Sequence, residues 1–277
     1  MIETLIQIAR AAGEAILDVY SEEDFGVQTK DDDSPLTRAD LAAHKVIVSQ
    51  LAQAFPEIPV LSEESDSISF EQRASWARYF LVDPLDGTKE FIARNGEFTV
   101  NIALIDDHRP VMGVVHVPVK DTTYWGDVVR GEAAKVSQGQ VQEISVRELP
   151  LMSEGALIVV ASRRHGSDAL EQLLAQMRTE FSSIELTSMG SSLKLCLVAE
   201  GAADFYPRLA PTSEWDTAAA HAVVLAAGGQ VVDTDFEPLR YNAKKSLLNP
   251  DFLVVGDPNL DLKALLLPLL SDRNKAR

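Results

Sequence analysis

The chain has 277 residues, 46% hydrophobic and 24% charged, with a formal net charge of −17. That is ordinary globular composition, enough for one large domain or two smaller ones. So acidic a chain offers no clustered Lys and Arg for a nucleic-acid backbone, which excludes that partner class, but a small phosphate ester stays open because bound cations invert the local field.

An amphipathic helix opens the chain, with Ile2, Leu5, Ile6, Ala9, Ala12, Ile16 and Val19 at helical spacing. Glu3, Arg10 and Glu14 interrupt any apolar stretch there, so a secretory leader is not expected. The turn-rich connector Asp31-Asp32-Asp33-Ser34-Pro35-Leu36-Thr37 leads into a second helix from about Arg38 to Ala54. Its triple aspartate does not make a calcium loop: counted from Asp31, the positions where an EF-hand needs Gly and Glu hold Leu36 and Ala42.

A short apolar run, Ile58 to Leu61, ends in Ser62-Glu63-Glu64. A second, Tyr79-Phe80-Leu81-Val82, leads out of a strand into the turn Asp83-Pro84-Leu85-Asp86-Gly87-Thr88, and a short helix is expected over Lys89 to Arg94. Thr99 to Ile105 and Val111 to Val117 flank a turn and predict an antiparallel hairpin, continued by Thr122 to Trp125. From about Arg130 to Ser153 the chain is polar and lacks strong periodicity; no element is predicted, and a domain boundary is placed near 150. Beyond it strands and helices alternate: strand Leu157 to Ala161, helix Ser167 to Met177, strand Ile184 to Thr187, helix Ser191 to Glu200, strand Ala203 to Tyr206, helix Trp215 to Ala227, then strands near Val231 and at Phe252 to Val255. That rhythm predicts a layered α/β half (151–277) after an α+β half (1–150). Gly228-Gly229 stops the Trp215 helix.

The single cysteine, Cys196, lies in an apolar run and reads as core, which excludes an intrachain disulfide and fits a reducing, cytoplasmic compartment. No apolar run reaches the ~20 residues of a membrane span. The tail Ala264 to Leu270 reads as a packed terminal helix, with peripheral contact to the inner face of the cytoplasmic membrane as the alternative.

Three separated acidic sites, at Glu63-Glu64, Asp83/Asp86 and Trp215-Asp216-Thr217, each end an apolar segment or open a helix, as convergent metal ligands would. Hard divalent cations take carboxylate and carbonyl oxygens. Two-metal hydrolysis needs carboxylates flanking a pair of cations, so Asp83, Asp86 and the Leu85 carbonyl would share that task, with Glu63 closing one site and Asp216 the other. Gly87 lets the backbone approach a phosphate, Thr88 offers a hydroxyl to orient water, and the helix start after it offers N–H groups to phosphoryl oxygens. Other nucleophilic chemistry is not supported: there is no Gly-x-Ser-x-Gly and no Walker-type loop. His44, His108, His116, His165 and His221 are scattered without metal-ligand spacing. The basic loop Ser162-Arg163-Arg164-His165-Gly166 reads equally as an anion contact or as an exposed loop.

Asp83-Pro84-Leu85-Asp86-Gly87-Thr88 and Trp215-Asp216-Thr217-Ala218-Ala219 resemble the two signatures of the inositol monophosphatase superfamily of Mg²⁺-dependent, lithium-sensitive phosphatases. Within it, Lys89-Glu90-Phe91, Asn95-Gly96-Glu97-Phe98-Thr99-Val100-Asn101-Ile102-Ala103 and Gly190-Ser191-Ser192-Leu193-Lys194 resemble the 3′(2′),5′-bisphosphate nucleotidase branch. True inositol monophosphatases usually read Thr-Asn-Phe where this chain has Lys89-Glu90-Phe91. The resemblance runs from about residue 1 to 255, with the tail as an extra.

The resemblance implies a layered αβαβα sandwich with the metals between its halves. It implies ligands at Glu63, Asp83, the Leu85 carbonyl, Asp86 and Asp216 for two Mg²⁺, with Asp40 helping to hold a third, loosely bound ion or its water. From the residues alone Asp40 is only a helix-start acid. Ser191, Lys194 and Arg208 match nucleotide contacts, His165 matches a base contact more loosely, and the alternative for Lys194 is a solvated helix face. The reaction so implied is hydrolysis of adenosine 3′,5′-bisphosphate to AMP and phosphate, linked to sulfate assimilation, with Thr88 and Asp40 positioning the water. Its substrate is a small molecule, and no obligate protein partner is expected. The rivals are an inositol- or sugar-phosphate phosphatase and, from another class, a non-catalytic cation-binding protein.

Overall fold

The computed structural model describes residues 1–30, 34–65, 67–149, 156–161 and 168–274. Two long helices, α1 (Ile2–Tyr20) and α2 (Arg38–Ala54), are joined through a small antiparallel ribbon of β1 (Gln28–Thr29) and β2 (Pro35–Leu36). A seven-stranded sheet follows in chain order: β3 (Val60–Ser62), β4 (Arg78–Asp86), β5 (Thr99–Asp106), β6 (Arg109–Val117), β7 (Thr122–Asp127), β8 (Glu132–Ser137) and β9 (Gln140–Glu143). β3 and β4 pair in parallel and the rest antiparallel. Short helices α3 (Phe70–Arg73) and α4 (Thr88–Ile92) flank β4.

The second sheet combines β10 (Ala156–Ala161), β11 (Ser183–Ser188), β12 (Phe205–Arg208), β13 (Gln230–Asp233) and β14 (Phe252–Val255) in the order β11-β10-β12-β14-β13. Between its strands run α5 (Asp168–Met177), α6 (Leu193–Ala199) and α7 (Glu214–Ala226), and α8 (Leu262–Asn274) ends the described chain.

Alternation along β4 sets the layers, because successive side chains leave a strand on opposite faces. Phe80 and Val82 join the apolar cluster of α1 and α2, with Leu5, Ile16, Ala43 and Ile47. Tyr79 and Leu81 face the other way, into a central cluster with Cys196 and Val198 of α6, Ala219 and Val223 of α7, and Tyr206 and Val254 of the second sheet. A third cluster joins the far face of that sheet to Leu173 and Met177 of α5 and Leu262, Leu266 and Leu270 of α8. The stack is therefore helices, sheet, helices, sheet, helices.

The middle layer sits unusually close to the first sheet. A Cβ at Gly113 of β6 would lie 2.0 Å from the Ala219 carbonyl oxygen, and one at Gly126 of β7 would lie 2.7 Å from the Val223 Cα. Helix backbone rests directly on strand backbone there, and neither side can yield by rotating a side chain. Gly113→Ala is expected to destabilise the fold by roughly 1–3 kcal/mol or more through overpacking, read as a lower midpoint in thermal unfolding.

Several expectations need correction. The polar stretch after Arg130 holds two strands, β8 and β9, which periodicity could not reveal: β9 lies at the sheet edge with both faces exposed, so no apolar alternation marks it. β4 does not end at Val82 but continues to Asp86, with its register against β5 shifting between Asp83 and Asp86. Pro84, lacking an N–H, sits in that irregularity. The tail, by contrast, is the packed terminal helix expected of it: Leu262, Leu266 and Leu270 supply the outermost layer's packing. Among the described residues no helix is long and apolar enough to cross a membrane. The boundary placed near 150 falls on residues 150–155, outside the described chain, as does the triple aspartate 31–33.

Candidate active site

The end of β4, the first turn of α2 and the first turn of α7 meet at one point. Among the described residues, Asp83, Asp86 and Asp216 place carboxylate oxygens within 4.8 Å of one another. Each is held by backbone. Asp83 Oδ1 accepts from the Leu85 N–H at 3.0 Å, Asp86 Oδ2 from the Ser192 N–H at 2.6 Å, and Asp216 Oδ2 from the Ser213 N–H at 2.9 Å, the last being the N-cap contact of α7.

Three acids so close together, Asp83 buried and Asp86 and Asp216 half-buried, resist ionisation. Burial pushes the Asp83 and Asp216 carboxyls well above the ordinary range, reinforced by the neighbouring carboxylates, and burial raises Asp86 against the pull of the Lys194 ammonium. A hard divalent cation removes this conflict, and an all-oxygen donor set of this kind is what Mg²⁺ accepts. The residues therefore fit a metal centre.

Glu63 stands beside the trio and is raised by burial, with the Lys30 ammonium opposing. Lys30 Nζ reaches Glu63 Oε1 at 2.7 Å and Glu64 Oε1 at 2.5 Å. The sequence had left Lys30 unnoticed, since nothing marks a lone lysine in a polar connector.

Asp40 emerges as more than a helix-start acid. It does cap α2, taking the Thr37 N–H at 2.7 Å and the Thr37 hydroxyl at 2.6 Å on Oδ2. Its other oxygen accepts the Thr88 hydroxyl at 3.2 Å. Asp40 is almost fully buried, and burial pushes it up to about 6 in spite of the Thr37 hydrogen bonds.

Gly87, at φ +92°, makes the left-handed turn between β4 and α4; a Cβ there would lie 3.2 Å from the Glu97 carbonyl oxygen and 3.3 Å from the Ser191 Cβ. Phe91 fixes α4 from below, with ring centroids 4.8 Å from Phe25 and 5.2 Å from Phe98. This is the physical content of the Lys89-Glu90-Phe91 run: Phe91 is an anchor, while Lys89 and Glu90 reach the site.

Two adjoining cavities share Asp86, Gly87 and Asp216. One, of about 360 Å³, lies on the acid side and touches Glu63, Asp83, Leu85 and Thr88. The other, of about 260 Å³, is lined by Met189, Ser191, Lys194, Tyr206 and Arg208. Lys194 is no solvated helix residue: it is buried, donates to the Ser191 and Met189 carbonyls at 2.5 and 3.3 Å, and is pushed down to about 8 by burial against the pull of Asp86. Arg208 stands at the rim, with Nη2 donating to the Pro211 carbonyl at 2.9 Å. His165 lies outside the described residues. His116 and His221, bonded to Thr123 and Tyr241, are satisfied core groups. Asn101, fully buried, was missed: it donates to Asp86 at 3.5 Å and accepts from the Ser192 hydroxyl at 3.0 Å. A lone polar residue inside the apolar run of β5 was the available signal.

A model of the inositol monophosphatase family matches residues 1–273. The chain belongs to that family. The match extends past residue 255 and so takes in most of α8, correcting the expectation that the tail is an extra. The chain is 50% identical to the 3′(2′),5′-bisphosphate nucleotidase CysQ of Salmonella typhimurium over 257 residues, covering 92% of this chain and 99% of that protein. It is 36% identical to the CysQ of Haemophilus influenzae over 265 residues, 96% of each. Among solved structures, CysQ from Bacteroides thetaiotaomicron, described as a bacterial member of the family, superposes with a TM-score of 0.82 at 43% identity over 93% of this chain and 97% of that one. The SaIMPase-II structure with inositol monophosphate bound shares the fold, with a TM-score of 0.76 at 21% identity, over 99% of this chain and 95% of that one.

Proposed function

We propose that this family member is a Mg²⁺-dependent 3′(2′),5′-bisphosphate nucleotidase that hydrolyses adenosine 3′,5′-bisphosphate to AMP and phosphate. The observation that carries the reading is the convergent trio Asp83, Asp86 and Asp216 opening onto a second cavity with a buried ammonium, in a chain that matches curated nucleotidases over nearly its whole length. Asp83, Asp86, Asp216, Glu63 and the Leu85 carbonyl would hold two cations. Bound Mg²⁺ supplies neutralisation of phosphoryl charge and a lowered water pKa.

The chain's own groups do the rest. Thr88 donates its proton to Asp40, which leaves its oxygen lone pairs to accept from a water and so to aim it. Asp40, raised to about 6, is suited to take up that water's proton through the Thr88 hydroxyl. Gly87 keeps the strand end free of a side chain where the phosphate approaches. Ser191, Lys194 and Arg208 present one hydroxyl and two cationic groups to the nucleoside side, where a second phosphate needs counter-charge.

Thr88→Ala is expected to lower kcat by about 10²–10⁴-fold, with Thr88→Ser retaining most activity; equal rates for the wild type and Thr88→Ala would remove the dyad from the mechanism. Phosphate release from adenosine 3′,5′-bisphosphate and from inositol 1-phosphate, compared at saturating Mg²⁺, tests the substrate assignment. Preference for the inositol ester would replace it.

A further inference from the structure

Asp83 and Asp86 share one strand, so their separation follows from the chain itself. Asp216 arrives from a different layer, and something must fix α7 along its axis for the trio to converge. The segment that follows Tyr241 does this. Glu214 N–H donates to the Leu247 carbonyl at 2.8 Å, Ser213 and Leu248 form an isolated antiparallel bridge, and Asn249 N–H donates to the Thr212 carbonyl at 2.8 Å.

The Asn249 side chain closes this clasp. Its Nδ2 donates to the Ser213 carbonyl at 2.8 Å and to Thr217 Oγ1 at 3.0 Å, while its buried Oδ1 has no protein partner. Ser213 is the residue whose N–H binds Asp216, and Thr217 is the residue after Asp216. One amide group thus holds a backbone carbonyl before the acid and a side-chain hydroxyl just after it. With its acceptor end unpaired, its two donor bonds alone set its orientation.

We propose that Asn249 is a positioning residue for Asp216, setting the first turn of α7 against β4 without touching cation or substrate. The inference rests on the metal-site reading above. Glu214 also ties to the strap, through the Asn242 N–H at 2.7 Å, but it is a fully buried charge whose removal disturbs the fold itself. Asn249 is neutral, so its loss separates position from stability.

The test is Mg²⁺ binding by calorimetry on the full chain, well below the unfolding temperature, alongside the Mg²⁺ dependence of phosphate release. Asn249→Ala is expected to raise the Mg²⁺ dissociation constant about 10–100-fold, the range seen when a group supporting a metal ligand is removed. At saturating Mg²⁺ its kcat should stay within about threefold of the wild type, a split between metal affinity and turnover. Leu266→Ala, in the outermost layer, lowers stability but should leave Mg²⁺ affinity unchanged. Asn249→Asp keeps the shape but withdraws the donors and adds a negative charge; weaker Mg²⁺ binding in this variant supports positioning, because the added charge alone would tighten it.

Unchanged affinity in Asn249→Ala, tighter binding in Asn249→Asp, or an equal shift in Leu266→Ala would overturn the proposal. A wild type that binds no Mg²⁺ would overturn the metal-site reading together with it.

Discussion

Asp86→Asn is expected to lower kcat by about three orders of magnitude while the molecule stays folded. Asp86 lines both cavities, as Asp216 also does, and its carboxylate accepts from the Ser192 N–H. An amide keeps that hydrogen bond through its remaining oxygen but carries no charge for a cation. Stability in the absence of metal should not fall, because burial already pushes the Asp86 carboxyl towards its neutral form. Circular dichroism and a thermal melt in chelator check the fold, and a phosphate-release assay checks the rate. Turnover within about tenfold of the wild type would place the chemistry elsewhere.

Mg²⁺ should stabilise the protein, and more strongly as pH rises. Without metal, Glu63, Asp83, Asp86 and Asp216 have folded pKa values above their unfolded ones. The folded state then binds more protons than the unfolded state from the ordinary carboxyl range upward, and stability declines as pH rises through that window. Asp40, raised to about 6, adds to the same slope. Two buried histidines act in the opposite direction: burial lowers His116 to about 4 and His221 to about 3, so their neutral folded forms lose stability as pH falls below about 6.5. Those histidines lie in the core away from the acids and contribute equally with or without Mg²⁺, so they cancel in the difference between the two melts.

That difference, the midpoint in Mg²⁺ minus the midpoint in chelator, should grow between about pH 5 and 8. At a hundred times the dissociation constant, Mg²⁺ contributes about 2.7 kcal/mol, or roughly 5–10 °C for a chain of this size. A difference that shrank with rising pH would contradict the acid cluster as the binding site.

Much of the site was legible because its chemistry is written in contiguous residues. Asp83, Asp86 and Gly87 sit in one run whose turn chemistry is unmistakable, and Asp216 opens a strongly alanine-rich helix. The layers were legible where burial imposes a helical period, as along α1, or where a strand buried on both faces reads as an apolar run, as along β5 and β6. What escaped has a common cause: the signal lay in tertiary pairing and not in local pattern. β9 is exposed on both faces, so alternation cannot mark it. For α8 the packed helix was legible, but not the sheet face that its leucines cover. Lys30, Asn101, Ser192 and Asn249 act on acids distant in the chain, through contacts that only the fold creates. Asp40 combines both cases: its capping role follows from Thr37-Arg38-Ala39-Asp40, while its contact with Thr88 does not.

The most direct test is a Mg²⁺ titration of phosphate release from adenosine 3′,5′-bisphosphate, begun in chelator. No release without the cation, saturable release with it, and loss of that release in Asp86→Asn are the predicted results. Release that proceeds in chelator, or that Asp86→Asn leaves intact, would contradict the assignment of Asp83, Asp86 and Asp216 as the centre where the phosphate ester is cut.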